Sequence, residues 1–151
     1  MSGAFVGFDG VVGDDWIDAN GHMNVSWYDR VFDTAESRLF EAFGIDEAYI
    51  ARTRHGMFRI EKAIRYEREL LRGDLIRVAG RIAAFDGRGV RHTHELVNVA
   101  TGRRAATATY ASLHVDLSRR KVAAVSDPDV LAALRALAAA HGAEDAFRTR
   151  S

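Results

Sequence analysis

The sequence contains no cysteine, which excludes disulfides, thiolate metal ligands and a cysteine nucleophile. It has a single proline, Pro128, so a proline-rich linker is excluded as well. Basic and acidic residues both number 21, so no excess of one charge is present to attract nucleic acid. The N-terminal residues lack the basic start of a secretory signal, and no apolar run is long enough to span a bilayer. We therefore expect a cytoplasmic protein that binds neither nucleic acid nor membranes.

The composition is that of an ordinary globular protein. Hydrophobic residues make up 48% of the 151 positions and charged residues 28%. This length favours one domain with a sizeable core over two small ones. We therefore expect residues 1–151 to form a single domain.

The most informative segment is the run Asp18-Ala19-Asn20-Gly21-His22-Met23-Asn24, followed four residues later by Tyr28. It holds a carboxylate, two amides and an imidazole within seven residues. It also directly precedes an amphipathic stretch with helical spacing. Groups that can move protons, at a helix N-terminus that stabilises negative charge, are the ingredients of an acyl-transfer site.

The amphipathic stretch predicts a long helix that is buried along one side. Asn24 or Ser26 is a suitable N-cap, and Gly44 stands where a glycine commonly follows a helix. The apolar residues recur every three or four positions: Tyr28, Val31, Phe32, Ala35, Leu39, Phe40 and Phe43.

Period-two patterns after this helix predict an antiparallel sheet. Phe58, Ile60, Ile64 and Tyr66 alternate with charged residues and form the first strand. Hairpin signals then connect three further strands, of which the glycine-rich Asp86–Gly89 turn is the strongest. The strands that follow the first contain Ile76, Val78 and Ile82, then residues 90–99, then residues 104–116.

The two ends of the chain complete the predicted architecture. Residues 5–12 are expected to form an opening strand or extended arm, and residues 127–142 a helix that a short tail follows. Asp127 is a good N-cap, Pro128 suits the first helical position, and Gly142 follows the end. The fold class is therefore α+β, with a curved antiparallel sheet wrapped around a central helix. Because such a sheet has edges that commonly pair across an interface, we expect a homodimer, with a homotetramer as the next assembly.

The segment from Asp18 to Tyr28 resembles the hotdog-fold thioesterases, and the order of elements agrees over nearly the whole chain. Its pattern is similar to the Asp-x-Asn-x-His-x-Asn motif of acyl-carrier-protein thioesterases. Asp18 also stands where thioesterases of the 4-hydroxybenzoyl-CoA type carry an acidic catalytic residue. Closer still is the resemblance to the betainyl-CoA thioesterase-like group associated with carnitine and betaine metabolism. That resemblance rests on the stretch from Trp16 to Asn24, on Tyr28 and on His114-Val115-Asp116.

The resemblance implies an acyl-CoA thioesterase with a hotdog fold and an active site at a dimer interface. Asp18 is expected to act as nucleophile or general base, with Asn20 and His22 supporting it. The backbone N–H of Val25 would face the thioester oxygen. Asn24 is expected to act mainly as a helix cap that shapes this oxyanion site.

Acyl-carrier-protein thioesterases carry a further catalytic glutamate on a downstream strand. Glu61 and Glu69 are both candidates for this second carboxylate here, and the sequence around them does not decide between the two. For Glu61, a solvent-facing role is an equally good interpretation. If the acyl group ends in a trimethylammonium, aromatic faces are needed to bind it. The candidates are Trp16, Trp27, Tyr28 and Phe58, although packing in the core is the stronger interpretation for each.

Coenzyme A is expected only as part of the substrate, with no separate cofactor. Its phosphates call for basic residues, and our candidates are Arg88, Arg119, Arg120 and Lys121, for which a solvated rim is the alternative. His92 and His94 lie on one strand face and His114 on a neighbouring strand, so the three could form a zinc site. No supporting carboxylate is evident, and histidines near a pocket rim are favoured over a metal site.

Two other functions remain open on the same fold. One is a non-catalytic module that binds acyl-CoA or another small ligand, because fold alone does not fix function. The other is a dehydratase or hydratase, which the motif fits poorly. The complete Asp-x-Asn-x-His set favours hydrolysis, since binding alone does not require it. The sequence leaves open the acyl group and the choice between coenzyme A and acyl carrier protein.

Overall fold

A computed structural model describes residues 4–145, and the expected tail after 142 lies largely outside these residues. The elements in chain order are β1 (Phe5–Val11), a 3-10 turn (Asp14–Trp16), α1 (Val25–Ala42), α2 (Glu47–Thr53), β2 (His55–Tyr66), β3 (Leu75–Phe85), β4 (Gly89–Asn98), β5 (Arg104–Asp116), β6 (Lys121–Val122), α3 (Pro128–Ala140) and β7 (Glu144–Asp145). No helix within the described residues is long and apolar enough to cross a membrane.

The main sheet has the strand order β1-β3-β4-β5-β2, and every neighbouring pair in this order is antiparallel. The two short strands β6 and β7 extend it beside β5 and β3. The curled sheet wraps α1, which confirms the predicted α+β hotdog architecture. Five helical residues that face the sheet are almost completely buried: Val31, Phe32, Ala35, Leu39 and Tyr28.

The ends of α1 and α3 follow from local chemistry. Asn24 caps α1 by accepting a hydrogen bond from the Ser26 N–H at 2.9 Å, so Asn24 and not Ser26 is the N-cap. Gly44 has a φ of 97°, as a glycine after a helix requires. Asp127 caps α3 through the N–H groups of Asp129 and Val130. The helix ends at Ala140, two residues before the predicted end.

Strand β2 departs from the predicted alternation. A register shift between Arg59 and Glu61 marks a β-bulge, which adds one residue to β2 relative to β5. The bulge reverses the faces, so Arg59 and Lys62 both point toward α1. Phe58 and Ile60, expected on the core side, are instead 47% and 61% exposed. The expectation of one apolar face along β2 was therefore wrong.

Candidate functional site

The polar loop before α1 is held in one conformation by its own hydrogen bonds. The Asp18 carboxylate accepts the Asn20 N–H at 2.9 Å, and the Asp18 N–H donates to the His22 carbonyl at 3.0 Å. Gly21 closes the turn with a φ of 86°, a conformation that side chains disfavour. The loop therefore presents Asp18 and His22 together, and His22 Nδ1 lies 3.8 Å from Asp18 Oδ2.

The loop is also anchored to the rest of the fold. The Met23 N–H donates to the Leu70 carbonyl at 2.7 Å, and the Asn24 N–H donates to the Trp16 carbonyl at 2.9 Å. Met23 is 1% exposed and belongs to the core around α1. The position of Asp18 and His22 is therefore set by a buried residue and two backbone contacts.

The first turn of α1 offers a backbone donor. The N–H groups of Ser26 and Trp27 donate to Asn24, through its side chain and its carbonyl respectively. The Val25 N–H has no acceptor within residues 4–145. Unsatisfied N–H groups at a helix N-terminus carry partial positive charge and suit an oxyanion.

An open pocket of about 260 Å³ adjoins this helix end. Its lining includes His22 and Val25 from one side and Tyr66 and Glu69 from the other. Tyr28 forms the inner wall, where its ring meets the Tyr66 ring edge-on at 5.2 Å. Burial raises the pKa of the Tyr28 hydroxyl, which donates to the Arg68 carbonyl at 3.1 Å. Tyr28 is therefore a neutral packing residue that also borders the pocket.

The other proposed aromatic contacts lie elsewhere. Trp16 and Trp27 stack at 4.5 Å, and the Arg30 guanidinium already lies over the Trp27 ring at 4.4 Å. Neither tryptophan lines the pocket beside His22. Phe58 lies on the outer face of β2, where it borders a separate groove with Leu113. Within one chain, Tyr28 is thus the predicted aromatic residue that the structure brings to the pocket.

The two candidate second carboxylates lie in different places: Glu61 is in β2 directly after the β-bulge, and Glu69 is in the loop that follows β2. Glu61 shares the outer face with Phe58, because the bulge inserts a residue between them. Its side chain is 65% exposed and lies 3.8 Å from Arg91. Glu69 lines the pocket beside His22. Of the two carboxylates, Glu69 lines this pocket within one chain and Glu61 does not.

The basic residues predicted to bind phosphate gather at the opposite end of the sheet. Arg88 lies in the β3–β4 turn, and its carbonyl accepts the His114 N–H at 2.7 Å. Arg119 and Arg120 lie in the adjoining β5–β6 turn, and Lys121 is the first residue of β6. The 12 residues of β2 run from this end to the pocket, so the two are about 36 Å apart along the strand within one chain.

The histidines considered for zinc do not converge, and they are not at a pocket rim. His92 and His94 are 0% and 1% exposed because they lie on the inner face of the central strand β4. Their rings hydrogen-bond to each other at 2.8 Å. His114 instead bonds Tyr49 Oη at 2.8 Å and the Ala123 carbonyl at 2.9 Å. Within the described part of the chain, no group of three residues is arranged to hold a metal ion.

Sequence reasoning missed a line of charged residues between α1 and β2. We call it the α1–β2 seam, and its members are Asp29, Asp33 and Glu36 on α1 and Arg59 and Lys62 on β2. Lys62 pairs with Asp29 and, at 2.8 Å, with Asp33. Arg59 pairs with Glu36 and, at 2.9 Å, with Asp33. The spacing of the three acids along one side of the helix could have indicated such a line. The bulge that places both cations on the inner face of β2 could not be predicted from the sequence.

The family model and the two relatives that match this chain in sequence are described as thioesterases or thioesterase-like. A family model described as the thioesterase-like superfamily matches residues 12–134. A Pseudomonas aeruginosa protein named betainyl-CoA thioesterase is 28% identical over 143 residues, covering 95% of this chain and 89% of its own. A Rhizobium protein named L-carnitine dehydrogenase/betainyl-CoA thioesterase is 31% identical over 126 residues, covering 83% of this chain. The chain spans only 25% of that bifunctional relative.

Solved structures share the fold. A Staphylococcus aureus protein of hypothetical function, determined in complex with CoA, superposes with a TM-score of 0.85 at 19% identity. The match covers 91% of this chain and 87% of the other. At this level of identity the superposition establishes the architecture alone.

Proposed function

The chain belongs to the thioesterase-like superfamily, and from this premise we propose that it hydrolyses an acyl-CoA thioester to a free acid and CoA. One observation carries the proposal: His22, whose Nδ1 lies 3.8 Å from Asp18 Oδ2, lines the same pocket as Val25, whose N–H is free. A carboxylate beside an unsatisfied helix N-terminus provides both a base and an oxyanion donor. The names of the relatives support the same activity.

In the proposed reaction the thioester oxygen accepts the Val25 N–H. The helix N-terminus stabilises the negative charge that develops on that oxygen, and removing one such donor costs about 10²–10³ in kcat in other enzymes. As a general base, Asp18 removes a proton from the attacking water, the C–S bond breaks, and that proton passes to the departing CoA thiolate. As a nucleophile, Asp18 attacks the carbonyl carbon and displaces the CoA thiolate, and water then hydrolyses the resulting mixed anhydride to the free acid and the regenerated carboxylate. His22 orients the Asp18 carboxylate.

The acyl group is proposed to be of the betainyl type. In the pocket lining, Glu69 supplies negative charge and Tyr66 supplies an aromatic face that is 49% exposed, and the Asp18 carboxylate lies 3.8 Å behind the lining residue His22. A quaternary ammonium group is attracted to both. The two relatives named betainyl-CoA thioesterase support this choice.

We also propose a homodimer that forms along β2. In the described chain β2 pairs only with β5, which leaves a 12-residue edge with exposed apolar side chains. Such an edge invites pairing with a second copy. Two β2 edges paired antiparallel bring the basic turns of one copy, with Arg88 and Arg119 to Lys121, beside the pocket of the other. In that arrangement the partner supplies the phosphate contacts to CoA.

The proposal is tested by thiol release, followed with a thiol-trapping dye, on betainyl-CoA and on its neutral isostere tert-butylacetyl-CoA. We expect turnover of both, with kcat/KM at least tenfold higher for betainyl-CoA because the two substrates differ in charge alone. Equal rates would remove the betainyl preference and leave the thioesterase. Ligand-induced thermal stabilisation without thiol release would instead identify a binding module.

A further inference from the structure

The α1–β2 seam closes one direction in which a bound acyl group could extend. Lys62 and Arg59 reach from the strand to three carboxylates on the helix, so the ion pairs cross the gap between the two elements. Behind them, the same two cations lie 5.2 Å and 5.1 Å from the centre of the Tyr110 ring. The seam is therefore a filled wall of charges backed by an aromatic ring.

Two of the five members of this wall, Glu36 and Lys62, are largely removed from water, whereas the Asp29 and Asp33 side chains are about half exposed. The Glu36 side chain is 7% exposed and the Lys62 side chain 13%. Burial raises the pKa of the Glu36 carboxyl, although its bond to Arg59 acts in the opposite direction. A buried ion pair is often no more stabilising than apolar residues of the same volume. Stability alone therefore gives little reason for charges at this position.

The seam begins close to the proposed carbonyl site. Val25, Asp29 and Asp33 are spaced by four residues and so lie along one side of α1. A rise of about 1.5 Å per residue puts Asp29 about 6 Å and Asp33 about 12 Å along the helix from Val25. On the strand, Tyr66 lines the pocket and Lys62 lies four residues, about 13 Å, further along β2.

We propose that the α1–β2 seam sets the maximum length of the acyl group, with the Lys62–Asp29 pair as its first barrier. This inference rests on the proposed function, because it requires the thioester carbonyl at the Val25 N–H. An acyl group that extends along α1 meets this ion pair after about one helical turn. A short acyl group fits in front of the pair, whereas a long alkyl chain has to displace it and desolvate its charges.

The first test is the chain-length profile of the wild-type protein, measured as kcat/KM by thiol release from acetyl-, butanoyl-, hexanoyl- and octanoyl-CoA. We expect a fall of at least tenfold between butanoyl-CoA and octanoyl-CoA. A flat or rising profile overturns the length limit and leaves the thioesterase intact. Failure to hydrolyse any thioester overturns the proposed function and this inference with it.

The second test removes the barrier. The double variant Lys62→Ala/Asp29→Ala deletes both charges at once, and its ratio of octanoyl to butanoyl kcat/KM should rise at least tenfold. The matched control is Arg77→Ala/Asp9→Ala, which deletes an exposed ion pair between β3 and β1 and should leave the ratio unchanged. An unchanged ratio in the seam variant, with its thermal unfolding still cooperative, overturns the proposal. If that variant does not fold, the wild-type profile decides.

Discussion

Replacing Asp18 with asparagine is expected to lower kcat/KM for acyl-CoA hydrolysis by about a thousandfold, within the range of general acid–base contributions. The amide keeps the shape of the side chain and still accepts the Asn20 N–H that Asp18 binds at 2.9 Å. It can neither take a proton from water nor act as a carboxylate nucleophile. The loss should therefore appear in kcat without a change in the melting temperature.

The control for this substitution is Asp15→Asn. Asp15 lies three residues away in the exposed 3-10 turn, so this variant makes the same chemical change outside the pocket. It should retain wild-type activity. An Asp18→Asn variant that keeps more than a tenth of the wild-type kcat/KM would contradict the role assigned to Asp18.

The free energy of unfolding is expected to fall steeply as the pH drops from about 6.5 toward 4. Burial lowers the pKa of His94 to about 4 and that of His92 well below its usual range, with each further lowered by a neighbouring cation or histidine. Between these values and about 6.5, the unfolded chain binds protons that the folded protein does not. Two such groups together give a slope of about 3 kcal/mol per pH unit.

Other groups modify this slope in known directions. The pKa of His114 is also lowered by burial, which adds to the loss. The pKa of Glu36 is raised, so its protonation in the folded state offsets part of the loss. Asp116 and Asp127 have lowered pKa values, and the stability they contribute is lost only below their ordinary range near 3.8.

Urea unfolding at a series of pH values between 7 and 5 measures the slope directly. The variant His94→Gln removes one proton-binding group, and its slope should be smaller by about 1.4 kcal/mol per pH unit. A wild-type stability that stays constant across this interval would contradict neutral, buried histidines in the folded protein.

Much of the fold was predictable because its signals are local. The helical spacing after Asn24, the cap at Asp127 and the glycines after α1 and α3 each depend on a few neighbouring residues. α2 was missed because seven residues are too few to show a period, although Asp46 caps it in the usual way. The bulge in β2 was missed because it depends on pairing with β5 and leaves no local mark.

In the site, too, the features with local sequence signals were predictable, and those that depend on strand pairing were not. The Asp18–His22 loop was readable, since its residues are adjacent in sequence and bind one another. The choice between Glu61 and Glu69 was not, because it depends on which way the bulge turns β2. The burial of His92 and His94 depends on the central place of β4 in the sheet, and an alternating strand pattern does not reveal strand order.

The most direct test of the central claim is product analysis of betainyl-CoA incubated with the protein in water enriched in heavy oxygen. Hydrolysis predicts equal amounts of free CoA and betaine, with heavy oxygen in the betaine carboxylate, and a loss of both products in Asp18→Asn. Betainyl-CoA recovered intact after prolonged incubation, with the protein folded and saturated, would contradict the claim. The site would then bind betainyl-CoA without hydrolysing it.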